Sequence, residues 1–318
     1  MKHHRCYICY EITDSGEDYH KPCLFGLFHI QQVPIITFNE KEIDMLALEY
    51  VNHKMGIPGV QKKLSLSLQK PPKNSHLPSR LTLVGSLGGE YILKPPSTDY
   101  PHMPEIEDLT MHLASIANIE VAQHGLIVIP NNKLAYVTKR FDRKGKEKIA
   151  VEDLCQLSLK LTKDKYKSST EKVGEVIRYY CSNPGSDMLK YFELIIFCFL
   201  TGNADMHLKN FMLITQNPKN IRLSPCYDLL ATRLLIPKHV DPEELALPVN
   251  GKKSNLRKKD FIALGKNLNI PEKTIQKSLS SLIDNMPIWF SKINQSFLPE
   301  ALKEKFQLLI EARAQQIA

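Results

Sequence analysis

The run from Leu194 to Leu200 carries no charge, stops at Gly202, and is followed at once by a polar loop and a short apolar segment. Crossing a bilayer takes about 20 apolar residues, and Lys190 and Glu193 stand just ahead of this run. It therefore predicts a buried helix. The loop reads Asn203-Ala-Asp205-Met-His207-Leu-Lys209-Asn210, and Phe211-Met-Leu-Ile-Thr215 beyond it predicts a strand. The chain must build a core large enough to enclose that helix. With 318 residues, 43% hydrophobic and 24% charged, it can do so without disulfide staples, and its length favours two lobes or domains.

The same composition excludes several classes. Apolar residues are spread too evenly for a disordered chain, and 14 Gly and 20 Pro exclude a collagen-like one. Seven cysteines, an odd number, argue against a fully paired disulfide framework. Met1-Lys-His-His-Arg5 leads into no apolar stretch of the kind a secretory signal needs, so a reducing cytoplasm is the expected compartment. Lys+Arg 42 against Asp+Glu 34 gives 42 − 34 = +8. That permits an anionic partner such as ATP, tRNA or an acidic protein surface and requires none. The densest basic run, Lys252, Lys253, Arg257, Lys258 and Lys259, reads as a solvated face or as a phosphate or partner site.

Two architectures follow one another along the chain. Phe38 to Val51 has a helical pattern, and Gly56-Ile-Pro-Gly59 is a turn. Lys63 to Leu68 alternates as a strand facing a core on one side. Thr82–Val84 and Tyr91–Lys94 read as a further strand pair, Glu105 to Ala117 as a helix, and Gly125–Ile129 with Leu134–Lys139 as a hairpin across Asn131-Asn132. After Arg143 the pattern becomes helical: residues 152–160, 173–180, 187–201, 258–268, 270–285 and 298–316. The expected boundaries are a zinc-ribbon-like segment at 1–30, a sheet-containing small lobe at 31–143, and a mostly helical lobe at 144–318. The fold class is α+β.

Asp205 and Asn210 share the spacing Asp-x4-Asn, the spacing of a protein-kinase catalytic loop. Phosphoryl transfer needs a carboxylate beside the attacking hydroxyl and a hard oxygen ligand on the metal, both fixed to one short loop. Asp228, beyond the next strand, fits a second metal carboxylate. In the small lobe, Lys94 ends Tyr91-Ile-Leu-Lys94, a pattern like the kinase strand that presents a lysine to phosphates. Glu107 or Glu105 on the next helix is placed to pair with it. The Gly56–Gly59 turn could offer backbone N–H groups to phosphates. Each piece alone also suits a cap, a strand end or a plain turn; their order along the chain points to a two-lobed, protein-kinase-like phosphotransferase. A separate signal lies at the N-terminus. Cys6-x2-Cys9 and His20-x2-Cys23 are two close ligand pairs, the layout of a tetrahedral zinc knuckle, or else two exposed turns with free thiols.

Five segments, Pro58–Leu64, Ile92–Pro95, Lys139–Arg143, Gly202–Asn210 and Leu245–Lys252, resemble the HipA family of serine/threonine kinases that act as bacterial toxins. The resemblance covers roughly residues 45 to 318. It implies Lys94 on the ATP phosphates, Asp205 as catalytic base, and Asn210 and Asp228 on Mg²⁺. It further implies Lys139 to Phe141 as the hinge behind adenine and His207 as a nucleotide contact. It implies a protein substrate, of which aminoacyl-tRNA synthetases are the known class, and control by an antitoxin, with DNA bound only through a partner and no membrane. The stretch before the Gly turn is short, as in the HipT form, whose missing subdomain is a separate small protein. The family's autophosphorylated serine in that turn is matched here by Gly56 and Pro58, so that switch is expected to be absent. The competing readings are a small-molecule or lipid kinase, and a catalytically silent zinc-ribbon binding protein.

Overall fold

The computed structural model describes residues 4–13, 16–38, 42, 62–72, 75, 77–84, 88–145, 147–217 and 219–318. Except for Phe38 and Glu42, the helix expected at Phe38 to Val51 lies outside the described residues, as does the turn bearing Gly56 and Gly59. The chain divides into two compact units. One comprises Met1–Asp108, Ala122–Gly145 and Gln295–Phe297; the other comprises Leu109–Val121, Lys146–Asn294 and Leu298–Ala318.

The first unit is built on a six-stranded sheet of order β1-β3-β2-β4-β6-β5. Its strands are β1 (Ile35–Ile36), β2 (Leu64–Gln69), β3 (Arg80–Leu83), β4 (Tyr91–Lys94), β5 (His124–Ile129) and β6 (Lys133–Lys139). The β1/β3 pairing is parallel and the rest are antiparallel. Alternation in Leu64-Ser-Leu-Ser-Leu aims Leu64 and Leu66 into the core, where they meet Tyr91, Leu93 and Val137. The β5–β6 reversal uses Asn131 and Asn132, both with positive φ, 65° and 54°. Asparagine is among the few residues with a side chain that visit this region readily. A short helix, α1 (Lys21–Phe28), lays Leu24, Leu27 and Phe28 into the same core.

Helix α2 (Met103–Ile116) links the two sets of residues in the chain, and the division falls after Asp108. The second unit is mostly helical. Its longest buried element is α5 (Pro184–Thr201), started by a proline in its first turn and apolar on nearly every face from Leu194 onward. Trp289 is fully buried beside it, edge-on to Phe197 at 5.7 Å, with its indole N–H donating to the Leu113 carbonyl at 2.9 Å. A short α6 (Thr232–Leu235) follows, and the other long helices are α4 (Thr170–Tyr180), α7 (Lys258–Asn267), α8 (Glu272–Asp284), α9 (Met286–Gln295) and α10 (Glu300–Ile317). Among the described residues, no helix is long and apolar enough to cross a membrane.

Several elements differ from the sequence expectation, among them Lys21–Phe28, Ile35–Ile36 and Asn220–Leu223, which are additional to it. Residues 152–160 do not form one helix. Ala150–Asp153 is strand β7, paired with β8 (Met212–Asn217) in a three-stranded sheet completed by β9 (Asn220–Leu223). Only Leu154–Leu157 is helical (α3), started by a reciprocal cap between Asp153 and Gln156. Helix α9 is an additional element. Its Pro287 lies in the first turn, where a missing N–H costs nothing.

Candidate active site

The loop after α5 is shaped by its first residue. Gly202 takes φ 71°, the left-handed cap that ends the helix, and its N–H and that of Asn203 return to the Phe199 and Cys198 carbonyls. A Cβ there would lie 2.8 Å from both Arg233 Cβ and Leu309 Cδ2, so glycine is required for space as well as for φ. The chain then folds on itself by side-chain links. Asn203 Oδ1 accepts from the Asp205 N–H at 3.1 Å, and Thr232 Oγ1 accepts from the Ala204 N–H at 2.9 Å. The His207 N–H donates to the Asp205 carbonyl at 2.9 Å, and the Asn210 side-chain amide donates to that same carbonyl at 2.8 Å. Asp205 is thereby presented at the surface on a loop whose backbone is held from both sides.

Strands β8 and β9 carry the chain from Asn210 back to Asp228. Tyr227 donates its hydroxyl to the Lys209 carbonyl at 2.7 Å, tying the two segments together. Asp228 sits at φ 54°. A left-handed aspartate costs energy that the surrounding structure must hold in place, and such outliers gather at functional sites. Lys209 turns away to pair with buried Asp153 at 2.6 Å, anchoring the loop to β7. The carboxylate of Asp228 and the side-chain oxygen of Asn210 are hard ligands of the kind Mg²⁺ takes.

His207 is buried, and that burial lowers its pKa from 6.5 to about 4 although the Asp205 and Asp228 charges pull the other way. The imidazole is therefore neutral at neutral pH. Its Nδ1 is buried with no hydrogen-bond partner among the described residues. Tyr166 is a residue that the sequence reading missed. Its hydroxyl donates to Asp205 Oδ1 at 2.5 Å, and its ring meets the His207 ring edge-on at 5.0 Å. It comes from an irregular stretch with no periodic pattern, and no signal in the sequence marks it.

In the first unit, β4 ends at Lys94, which is only 2% exposed and forms an ion pair with the equally buried Glu107 of α2. Its ammonium also stands 5.3 Å over the Tyr136 ring. Of the two glutamates expected on this helix, Glu107 meets the lysine; Glu105 faces His102 at 3.3 Å instead. Lys139 ends β6 with its Nζ 2.7 Å from His29 Nε2, and burial lowers its pKa. Phe141 is half-buried. Beside it Arg140 grips Asp142 with two hydrogen bonds, at 2.9 and 2.8 Å, and Arg143 adds a third. Burial raises the Asp142 pKa, but the two guanidiniums outweigh it and hold the carboxyl below its usual range. The basic run is partly engaged: Lys252 pairs with Asp260 at 2.9 Å and Lys253 with Glu243 at 3.0 Å. Cys6, Cys9, His20 and Cys23 are brought together, their ligand atoms all within 4.8 Å of one another.

The chain is similar to several known proteins. The profile of the HipA-like C-terminal domain matches residues 55–290. A Haemophilus influenzae protein named "Putative kinase" is 27% identical over 274 residues, 77% of each chain. The serine/threonine-protein kinase toxin HipA of Shewanella oneidensis is 26% identical over 199 residues, 56% of this chain and 43% of that one. In structure, HipA from the S. oneidensis complex with HipB and operator DNA superposes with a TM-score of 0.67 at 21% identity, over 82% of this chain and 64% of that one. The proinflammatory kinase CtkA of Helicobacter pylori gives 0.55 at 17%, over 80% and 93%. The fold is α+β and protein-kinase-like, with a curled sheet and a helical C-terminal part, and the chain belongs to the HipA family.

Proposed function

We propose that this chain is an ATP- and Mg²⁺-dependent protein serine/threonine kinase of the HipA/HipT toxin type. The observation that carries the reading is the Asp205 loop, in which one exposed carboxylate is held by its own backbone carbonyl to Asn210 and by its side chain to Tyr166. Asp205 is placed to accept the proton of an attacking hydroxyl. Asn210 and Asp228 are the residues that would hold Mg²⁺, which when bound spreads the charge of the triphosphate. Lys94, kept in place by Glu107, would face the nucleotide phosphates. Neutral His207 and the Lys139–Phe141 segment would contact the nucleotide, and Gly56 and Gly59 would supply backbone N–H groups.

The substrate in this reading is a translation-related protein such as an aminoacyl-tRNA synthetase, whose phosphorylation arrests growth in the cytoplasm. Control comes from a separate antitoxin, through which any DNA contact is made, and from a small protein of the kind that accompanies the HipT form. S. oneidensis HipA occurs with HipB on operator DNA, which supports a protein partner of that kind. The boundaries 1–30, 31–143 and 144–318 describe the proposed working parts. The test is phosphoproteomics of cells expressing this chain beside its Asp205→Asn form. New phosphoserine or phosphothreonine on one or a few proteins, absent with Asp205→Asn, supports the reading. Identical phosphoproteomes would reject it.

A further inference from the structure

Two short segments near the N-terminus, Cys6–Cys9 and His20–Cys23, fold against each other. Tyr10 takes φ 67° directly after Cys9, and its N–H returns to the Cys6 carbonyl at 2.9 Å. This tight reversal points both thiols of Cys6-x2-Cys9 to one side. His20 stands at the N-terminal boundary of α1 and Cys23 lies in that helix's first turn, so the second pair also faces one point. The backbone N–H of His20 reaches Cys6 Sγ at 3.4 Å.

The imidazole of His20 is set up as a metal ligand. Its Nε2 lies 3.1 Å from the Ile12 carbonyl. A carbonyl can only accept, so Nε2 carries the hydrogen and Nδ1 is left with its lone pair. That Nδ1 is 3.3 Å from Cys9 Sγ and 3.9 Å from Cys23 Sγ. With zinc–sulfur and zinc–nitrogen bonds of usual length, a tetrahedral site separates S from N by about 3.5 Å. The two observed separations bracket that value. Three sulfurs and one nitrogen fill four positions, which leaves no place for water and describes a structural rather than a catalytic site.

The cluster is also joined to the sheet. Strand β5 is the last in the sheet order, so its outer edge would present unpaired backbone groups. The knuckle covers it: the Leu126 N–H donates to the Tyr7 carbonyl at 3.0 Å and the Val128 N–H to the Tyr19 hydroxyl at 3.2 Å. Ile8 lies so close to Gly125 that a Cβ there would come within 2.9 Å of it. On the far side, Tyr10 donates to buried Asp108 at 2.6 Å, and Tyr91 of β4 donates to the Leu27 carbonyl of α1 at 3.2 Å.

We propose that Cys6, Cys9, His20 and Cys23 bind one Zn²⁺ in a closed structural site, and that this metal holds the N-terminal knuckle as a cap on the outer edge of β5. Cys6, Tyr19, Leu24, Leu27 and Phe28 already pack into the sheet core, and a metal would add to that packing by cross-linking the two ligand pairs across their loops. The experiment uses the full chain, purified without chelator or polyhistidine tag. Elemental analysis is expected to give about one zinc per chain, and cobalt in its place the visible absorption of a tetrahedral thiolate site. Stripping zinc from the wild-type protein should speed amide exchange at Leu126 and Val128 by tenfold or more, and re-added zinc should restore it. Absence of both zinc and cobalt binding overturns the site, as does zinc retained in a Cys6→Ser/Cys9→Ser variant. Unchanged exchange at Leu126 and Val128 after stripping overturns the capping role. Because the wild-type chain carries the decisive measurements, a variant that fails to fold does not decide the matter.

Discussion

The side-chain amide of Asn210 donates to the backbone carbonyl of Asp205 across 2.8 Å, and the His207 N–H shares the same acceptor at 2.9 Å. One carbonyl thus gathers the loop, so the carboxylate that would take a proton and the amide oxygen that would hold a metal cannot move independently.

Tyr166→Phe removes the hydroxyl that donates to Asp205 Oδ1 but keeps the ring against His207. A hydrogen bond to a charged group contributes about 1.5–3 kcal/mol, so turnover should change by roughly tenfold or more while ATP affinity holds. Steady-state kinetics at saturating ATP check this; equal turnover in the variant would remove Tyr166 from the account.

Lys94→Ala should cost both nucleotide affinity and stability. It leaves a buried carboxylate facing the place of its lost cation, a change that costs about 3–5 kcal/mol. A Lys94→Met/Glu107→Leu pair should regain most of the stability and none of the affinity. Urea unfolding and calorimetry with ATP and Mg²⁺ read the two effects separately.

Asp228→Ala should raise the magnesium concentration needed for half-maximal activity at least tenfold, since in the proposed site it would delete a charged ligand. Asn210→Ala should do the same and also slacken the loop, because its amide no longer reaches the Asp205 carbonyl. Magnesium titrations of activity that coincide with wild type in both variants would contradict the assignment.

The pKa of His207 is lowered by burial to about 4 in the folded chain, against 6.5 ordinarily. Below 6.5 the unfolded chain takes up a proton that the folded one refuses, so stability falls as pH drops from 6.5 towards 4 and is full above 6.5. The loss is on the order of 3 kcal/mol at most. Denaturant midpoints measured across that range should flatten in His207→Gln.

Several elements were legible because their cause is local. Tyr91–Lys94 reads as a strand and is one, stopped by Pro95-Pro96. The Asn131-Asn132 reversal is written in residues that tolerate positive φ. The choice between Glu105 and Glu107 was not legible, since both sit on one helix and only the position of β4 decides which faces Lys94. The strand at Ala150–Asp153 exists through pairing with Met212–Thr215, a partner distant in sequence. Tyr166 reaches Asp205 from a loop whose shape no periodicity encodes.

Transfer of labelled γ-phosphate from ATP by the purified chain, with Mg²⁺ and a lysate as substrate source, tests the central claim most directly. Wild type is expected to label serine or threonine in a small set of proteins. Asp205→Asn keeps the shape of the side chain and an acceptor for Tyr166 but loses the carboxylate proposed as the base. It should therefore bind ATP with similar affinity and transfer phosphate about 10²–10⁴-fold more slowly. Labelling by Asp205→Asn at the wild-type rate, or none by a wild-type chain shown to bind ATP, would contradict the account.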